Sequence, residues 1–234
     1  MIKILIISAG LVFSISAYGE VDPFEEINLI THKFNTKIDE NFAVPIAEAY
    51  VNVMPDKLEI GVSNFVANYE DVNIGLNNLL QGKINHGLSD IARLLVNSTI
   101  GVFGFIDVAS KMGLEKHDED FGQTLGYWGF RSGPYIVLPF IGPSSLRDTL
   151  AQIPDAFLGG LFFVDHERTG YELTLVDLLE TRARYLGMES LVIGDEYLFY
   201  RDAYFQNMEY EISDGMIEDN FEGFDDFDDF ENLD

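Results

Sequence analysis

Apolar residues recur at Leu88, Ile91, Ala92, Leu95 and Val96, offsets that fall on one face of an α-helix, while Asp90 and Arg93 point elsewhere. Leu58, Val62, Phe65, Val66 and Tyr69 repeat the spacing. Leu76, Leu79 and Leu80 mark a short helix that ends before Gly82, and Leu175, Leu179 and Leu186 belong to a longer one in which Glu180 and Arg184 stand four apart. No series of alternating β-branched runs with hairpin turns interrupts them, so the pattern predicts an all-α fold rather than a barrel or sandwich.

The middle of the chain departs from this rhythm. Between Gly101 and Gly142 eight glycines are interleaved with Phe103, Phe105, Phe121, Tyr127, Trp128, Phe130, Tyr135 and Phe140. The stretches 135–141 and 156–164 are too short to span a bilayer yet apolar enough to lie within one leaflet or in a buried loop. Tyr and Trp at their ends suit a headgroup boundary, where ring and polar tip are both satisfied.

Composition narrows the compartment and the chemistry. Residues 1–19 join Lys3, an apolar run over 4–13 and the small-residue pattern Ala17-Tyr18-Gly19, the form of a cleavable export signal. No cysteine occurs, which excludes disulfides, thiol nucleophiles, thiolate metal sites and lipid attachment through sulfur in this sequence. The formal charge of −26 argues against nucleic acid and against electrostatic adhesion to anionic lipid, so contact with a membrane would be driven by apolar burial. Residues 209–234 hold twelve acids and no Lys or Arg, with Phe221, Phe224, Phe227 and Phe230 at intervals of three. This block is expected to be a disordered tail following the 20–208 body, either inert or docking on a partner.

Catalytic signatures are missing. His32, His86, His117 and His166 are scattered, with no HExxH pair, and no nucleophile elbow, Walker loop or dinucleotide fingerprint appears. Residues 218–229 echo a calcium loop but carry Glu for Asp twice and Asp for the final bidentate Glu, so a solvated acidic run explains them better.

Ordered blocks over 22–206 are more specific. They begin with Asp22-Pro23-Phe24-Glu25-Glu26-Ile27-Asn28 and Phe34-Asn35, and continue through Ser63-Asn64-Phe65, Asn68, Asn77-Asn78-Leu79-Leu80-Gln81-Gly82, Arg93, Asn97, Gly101, Gly104 and Asp107. Glu119 to Gly129 follow, then Gly133-Pro134-Tyr135, Leu138-Pro139, Gly142-Pro143-Ser144 and Arg147-Asp148, with Asp195, Tyr197, Arg201, Tyr204 and Gln206 closing the set. In this order and spacing the chain resembles the MlaA/VacJ outer-membrane proteins that maintain lipid asymmetry. Two departures stand out: Leu29 replaces the Arg common after Asn28, and the usual lipid-attachment cysteine is missing.

The resemblance implies a ring-like single domain of amphipathic helices in the periplasmic leaflet, pierced by a central amphipathic channel and associated with trimeric porins. Phospholipid misplaced in the outer leaflet would pass through it to a periplasmic shuttle protein, with no cofactor and no bond-making step. Tyr127, Trp128, Arg131, Tyr135, Leu138, Phe140 and Arg147 are the candidates for the channel or the membrane interface, because a lipid path needs apolar walls and a few polar positions. Arg131 or Arg147 would meet a phosphate, unless Arg147 pairs locally with Asp148. A structural porin accessory and a phospholipid-modifying enzyme are the competing readings.

Overall fold

A computed structural model describes residues 22–157 and 167–216, the backbone alone over 167–173; residues 1–21, where the export signal is expected, most of the 156–164 stretch and residues 217–234 lie outside the described part. Helix α1 (Glu25–Ile38) runs through a π-helical turn (Asp39–Ala43) into α2 (Val44–Val53). Helix α3 (Asp56–Leu80) then turns at Gly82 into α4 (Ile84–Thr99). A glycine-rich loop leads to α5 (Phe121–Tyr127), the hairpin strands β1 (Tyr135–Leu138) and β2 (Gly142–Ser145), and α6 (Leu146–Ala156). Helices α7 (Glu167–Arg184) and α8 (Glu196–Ile212) complete the body. No described helix is long and apolar enough to cross a membrane.

Local chemistry fixes several of these boundaries. Asp120, Ser145 and Asp195 cap α5, α6 and α8 by accepting the backbone N–H three residues on, each satisfying a donor that the helix leaves orphaned. Gly82 takes a φ of +79° where the α3–α4 connection reverses. The two helices approach so closely that a Cβ on Gly87 would lie 2.8 Å from the carbonyl oxygen of Gly75. Leu76–Leu80, read as a separate helix, forms the last turns of the 25-residue α3, because Gly75 serves this contact instead of breaking the helix.

The predominantly helical class is as expected, with one addition: β1 and β2 pair antiparallel from Tyr135↔Ser145 to Leu138↔Gly142. The outer edge of β1 is covered by side-chain amides. Asn28 donates to the Tyr135 carbonyl at 3.0 Å and accepts from Val137 N–H at 2.9 Å. One α-helical heptad later Asn35 donates to the Leu138 carbonyl and accepts from Phe140 N–H, both at 2.8 Å. Two primary amides thus replace a neighbouring strand, which resolves the edge-strand problem without a third β element. Tyr135, Val137 and Tyr197 form a small apolar core beside this clamp, with Leu29, Tyr204 and Phe205 packed against it. Leu29 therefore fills an apolar position where the resemblance places Arg.

Elsewhere the distribution of polarity is reversed. Among the described residues nine apolar side chains are buried against sixteen polar or charged ones, and the largest fully buried side chains are Asn28, Asn77, Asn78, Thr124, Asp71, Asp90 and Ser145. Helix α4 shows the reversal most clearly: Gly87, Asp90, Arg93 and Asn97 face inward, while Leu88 and Leu95 are 57% and 60% exposed. Exposed apolar stripes recur at helical spacing as Ile27, Ile30 and Phe34 on α1, Leu150 and Ile153 on α6 with Phe157 at its C-cap, and Leu175 and Leu178 on α7 with Tyr185 just past its end. An amphipathic helix in water turns its apolar face to the core, so stripes of this kind mark a surface that meets a membrane or a partner protein.

The inversion has a direct test in stability. Asn28→Leu leaves the Tyr135 carbonyl and Val137 N–H unpaired inside the protein and should lower unfolding free energy by about 2–4 kcal/mol. Leu88→Gln, on the outward face, should change it by no more than about 0.5 kcal/mol in chemical denaturation with detergent present. A larger loss from Leu88→Gln than from Asn28→Leu would contradict the inverted arrangement.

Candidate functional site

Three polar groups organise the interior. Between α3 and α4, Asp90 accepts from Asn78 Nδ2 at 2.9 Å and lies 2.8 Å from His117 Nδ1, while the Arg93 guanidinium lies 3.6 Å from Asp71 and 3.3 Å from Asp107. Arg93 also donates to the Leu114 carbonyl at 2.6 Å, and Asn97 Oδ1 accepts from Val108 and Ala109 N–H. Arg93 and Asn97 therefore shape the glycine-rich loop from α4. Within it Val102 and Phe103 hold left-handed φ angles of 56° and 58°, strained for a β-branched and an aromatic residue, and Phe103 is 76% exposed.

The second group joins α3, α5 and α6. Thr124 donates to Asn77 at 2.8 Å, Gln81 donates to Thr124 and Glu119, and Asp155 accepts from Asn73 at 2.8 Å and from Phe121 N–H at 3.0 Å. The third lies under the hairpin, where Asp148 accepts from Ser145 Oγ at 2.7 Å, Arg147 Nε at 2.6 Å and the Tyr204 hydroxyl. Burial and the Asp148 charge raise the Tyr204 phenol well above its usual range. A Cβ on Gly126 would lie 2.4 Å from Ile212 and 2.9 Å from Arg147, so glycine lets α5 meet α8 and this group.

The seven candidates from the sequence divide between interior and surface. Tyr135 and Arg147 are only 3% and 6% exposed. Tyr135 packs against Tyr197, Tyr204 and Phe205, and its phenol is pushed up to about 12, chiefly by burial. Arg147 forms the local pair with Asp148 and donates to the Phe130 carbonyl at 3.3 Å. Leu138 is half-buried, with its carbonyl on the Asn35 clamp. Tyr127, Trp128, Arg131 and Phe140 are exposed, alongside Phe130 and Ile141. The Trp128 indole N–H donates to the Leu80 carbonyl at 3.2 Å, and Lys83 lies 5.4 Å from the Tyr127 ring centroid. Phe140, at the hairpin turn with a φ of 67°, stacks edge-on with Phe34.

Several features escaped sequence reasoning. His86 and His117 stack with centroids 4.2 Å apart, although thirty-one positions separate them. No group of three or more His, Asp or Glu suited to a metal occurs among the described residues. Asn28 and Asn35 lie seven apart on α1, a spacing that places both on one face and was the available signal for the clamp. The acidic run at 218–229 and the phenylalanine series fall outside the described residues. Glu209 and Glu211, counted with the acidic block, belong to α8.

Asp120 generates a pH prediction. Burial raises its carboxyl from the ordinary 3.8 to about 7, with Asp155, Asp148 and Glu211 adding to the rise and the Gln123 N–H opposing it. The folded protein holds this proton where the unfolded chain has released it. The contribution to stability is thus fully present below about pH 4 and lost as pH rises through about 7, a span worth at most ~4 kcal/mol. Asp120→Asn keeps the helix cap and removes the titration. Its Tm should exceed that of the parent at about pH 8 by more than at about pH 5. Parallel Tm–pH curves would contradict the assignment.

Comparison with known proteins places this geometry. Residues 20–211 match the family described as MlaA lipoprotein. The chain is 33% identical over 206 residues to an intermembrane phospholipid transport system lipoprotein of Escherichia coli K12, covering 86% of this chain and 82% of that protein. A Haemophilus influenzae protein of the same description is 28% identical over 214 residues, covering 86% and 83%. A solved structure from work on the structural basis for maintenance of bacterial outer membrane lipid asymmetry superposes with a TM-score of 0.75 at 30% identity, covering 82% of this chain and all of the other. The chain belongs to the MlaA family.

Proposed function

We propose that this protein lies in the periplasmic leaflet of an outer membrane, removes misplaced phospholipid from the outer leaflet and passes it to a periplasmic shuttle protein. The observation that carries the reading is the reversed polarity of the body. Exposed apolar stripes on α1, α4, α6 and α7 supply the surface that acyl chains cover, and no described helix supplies a span. In this reading the helices form a ring around a channel for the headgroup, held in register by the buried amides and carboxylates. The family relationship adds phospholipid as the cargo, as the E. coli and H. influenzae relatives are described as intermembrane phospholipid transport system lipoproteins.

Retention without a sulfur-linked lipid follows from the same surface together with porin contacts, because each outward leucine or isoleucine contributes about 1.5–3 kcal/mol when removed from water. Transport of this kind leaves every lipid bond intact and requires no cofactor from this chain.

The test is the amount of phospholipid exposed on the cell surface after deletion of the gene. It should rise on deletion and return to normal with the wild-type protein. Complementation by a Leu88→Glu, Leu95→Glu variant should fail, with the protein shifting to the soluble fraction, because two carboxylates enter the acyl-facing stripe at about 2–3 kcal/mol each. Lysolipid or free fatty acid appearing with the wild-type protein would favour the enzyme reading. Altered porin assembly with unchanged lipid distribution would favour the structural one.

A further inference from the structure

A cavity of about 190 Å³ opens between α3 and α7, lined by Glu59, Ile60, Ser63 and Asn64 on one side and Glu180 and Arg184 on the other. The α3 residues form two i, i+4 pairs and the α7 residues a third, so each helix turns a single face to the space. Glu180 is 5% exposed and accepts from the Tyr50 hydroxyl of α2. Burial, that hydrogen bond and the charges of Glu180 and Glu59, the two carboxylates that line the cavity, all raise the Tyr50 phenol.

Charge at this cavity is incompletely paired. Arg182, one position away from the lining, is held in a bidentate pair by Asp39 at 2.6 and 3.0 Å and also binds Glu189. Neither Arg184 nor Glu59 enters an ion pair among the described residues, although the Arg184 charge is felt by Asp177 on the same helix. Two carboxylates and one guanidinium therefore border a space the size of roughly six waters. Ile60 in its lining and Leu58, the neighbour of Glu59 in the chain, are 60% and 53% exposed, an apolar approach for chains attached to a polar occupant.

We propose that this cavity receives the headgroup of an ammonium-bearing phospholipid, phosphoethanolamine, with Glu59 and Glu180 taking the ammonium and Arg184 the phosphate. The inference rests on the lipid-handling reading above and adds headgroup selectivity to it. A primary ammonium carries three N–H donors suited to paired carboxylates, whereas a quaternary ammonium has none and is best held by aromatic faces. An anionic headgroup without an ammonium would bring its phosphate to two carboxylates with one arginine as the sole compensation. The space admits the headgroup and leaves both acyl chains outside, against Leu58 and Ile60.

The full-length protein in detergent is mixed with vesicles of equal phosphatidylethanolamine, phosphatidylglycerol and phosphatidylcholine, re-isolated, and its bound lipid quantified by mass spectrometry. Wild-type protein should enrich phosphatidylethanolamine about five- to tenfold over each of the others, the scale of one charge-assisted hydrogen bond. Glu59→Gln, which leaves the Tyr50–Glu180 bond intact, should reduce that enrichment to about twofold or less, and Arg184→Gln should lower binding of all three classes. Equal binding of the three lipids by wild type, or an unchanged preference in Glu59→Gln, would overturn the headgroup assignment while leaving lipid handling in place. Absence of any bound phospholipid would overturn both. Soluble glycerophosphoethanolamine is the second arm: displacement of the lipid only at large excess supports a membrane-delivered headgroup. Tight binding of the soluble ester with no selection from vesicles would overturn the lipid assignment.

Discussion

Asp90 sits at zero exposure between two helices, held by Asn78 and His117, and much of the molecule is built on the constraint it illustrates. A buried polar group is costly unless its hydrogen bonds are met within the protein, and an ionised one more so; most here are met, while Asn68 Oδ1, Asn78 Oδ1 and Arg147 Nη2 lack a partner among the described residues. Asn28, Asn35, Asn77, Asn97 and Thr124 meet that requirement with directional bonds to specific backbone and side-chain atoms. Each bond fixes a distance and an orientation, so register between elements is set by polar chemistry more than by apolar packing. Removing one partner from such a network costs more than the bond itself, since the other remains buried and unpaired.

The apolar residues are thereby freed for the outside. In water, exposed stripes on α1, α4, α6 and α7 would promote association, but against acyl chains they are the stable surface. A formal charge of −26 does not oppose this arrangement: twelve of the acids lie in the acidic block, a few charges are buried in pairs, and contact does not depend on basic residues. Glycines at Gly75, Gly87 and Gly126 bring polar faces within bonding reach, which links their placement in the sequence to the interior and not to flexible turns.

Much of the helical layout was legible from the chain. The α4 periodicity at Leu88, Ile91 and Leu95 marks the helix correctly, but periodicity identifies a face without saying which solvent it meets. Gly82 marked the end of α3, whereas Gly75, a contact point, left no sign that distinguishes it from a breaker. The hairpin was hidden because each strand has only four residues and β2 reads Gly-Pro-Ser-Ser, a turn composition. Its stability comes from Asn28 and Asn35, more than one hundred positions upstream, a pairing that local propensity does not encode. The candidate residues near Tyr127 and Phe140 include outward-facing aromatics, while Tyr135 and Arg147 serve the interior, a division set by tertiary contacts alone.

The most direct measurement uses the single tryptophan, Trp128, which is 48% exposed and anchored by its indole N–H to the Leu80 carbonyl. Its fluorescence is recorded with the protein in vesicles whose lipids carry bromine at successive acyl positions. The inverted body predicts strong quenching by bromines near the headgroup end, weakening toward the bilayer centre, as for an aromatic ring at the interface. Fluorescence unaffected by bromine at any depth, with acrylamide in the water quenching fully, would contradict a leaflet location.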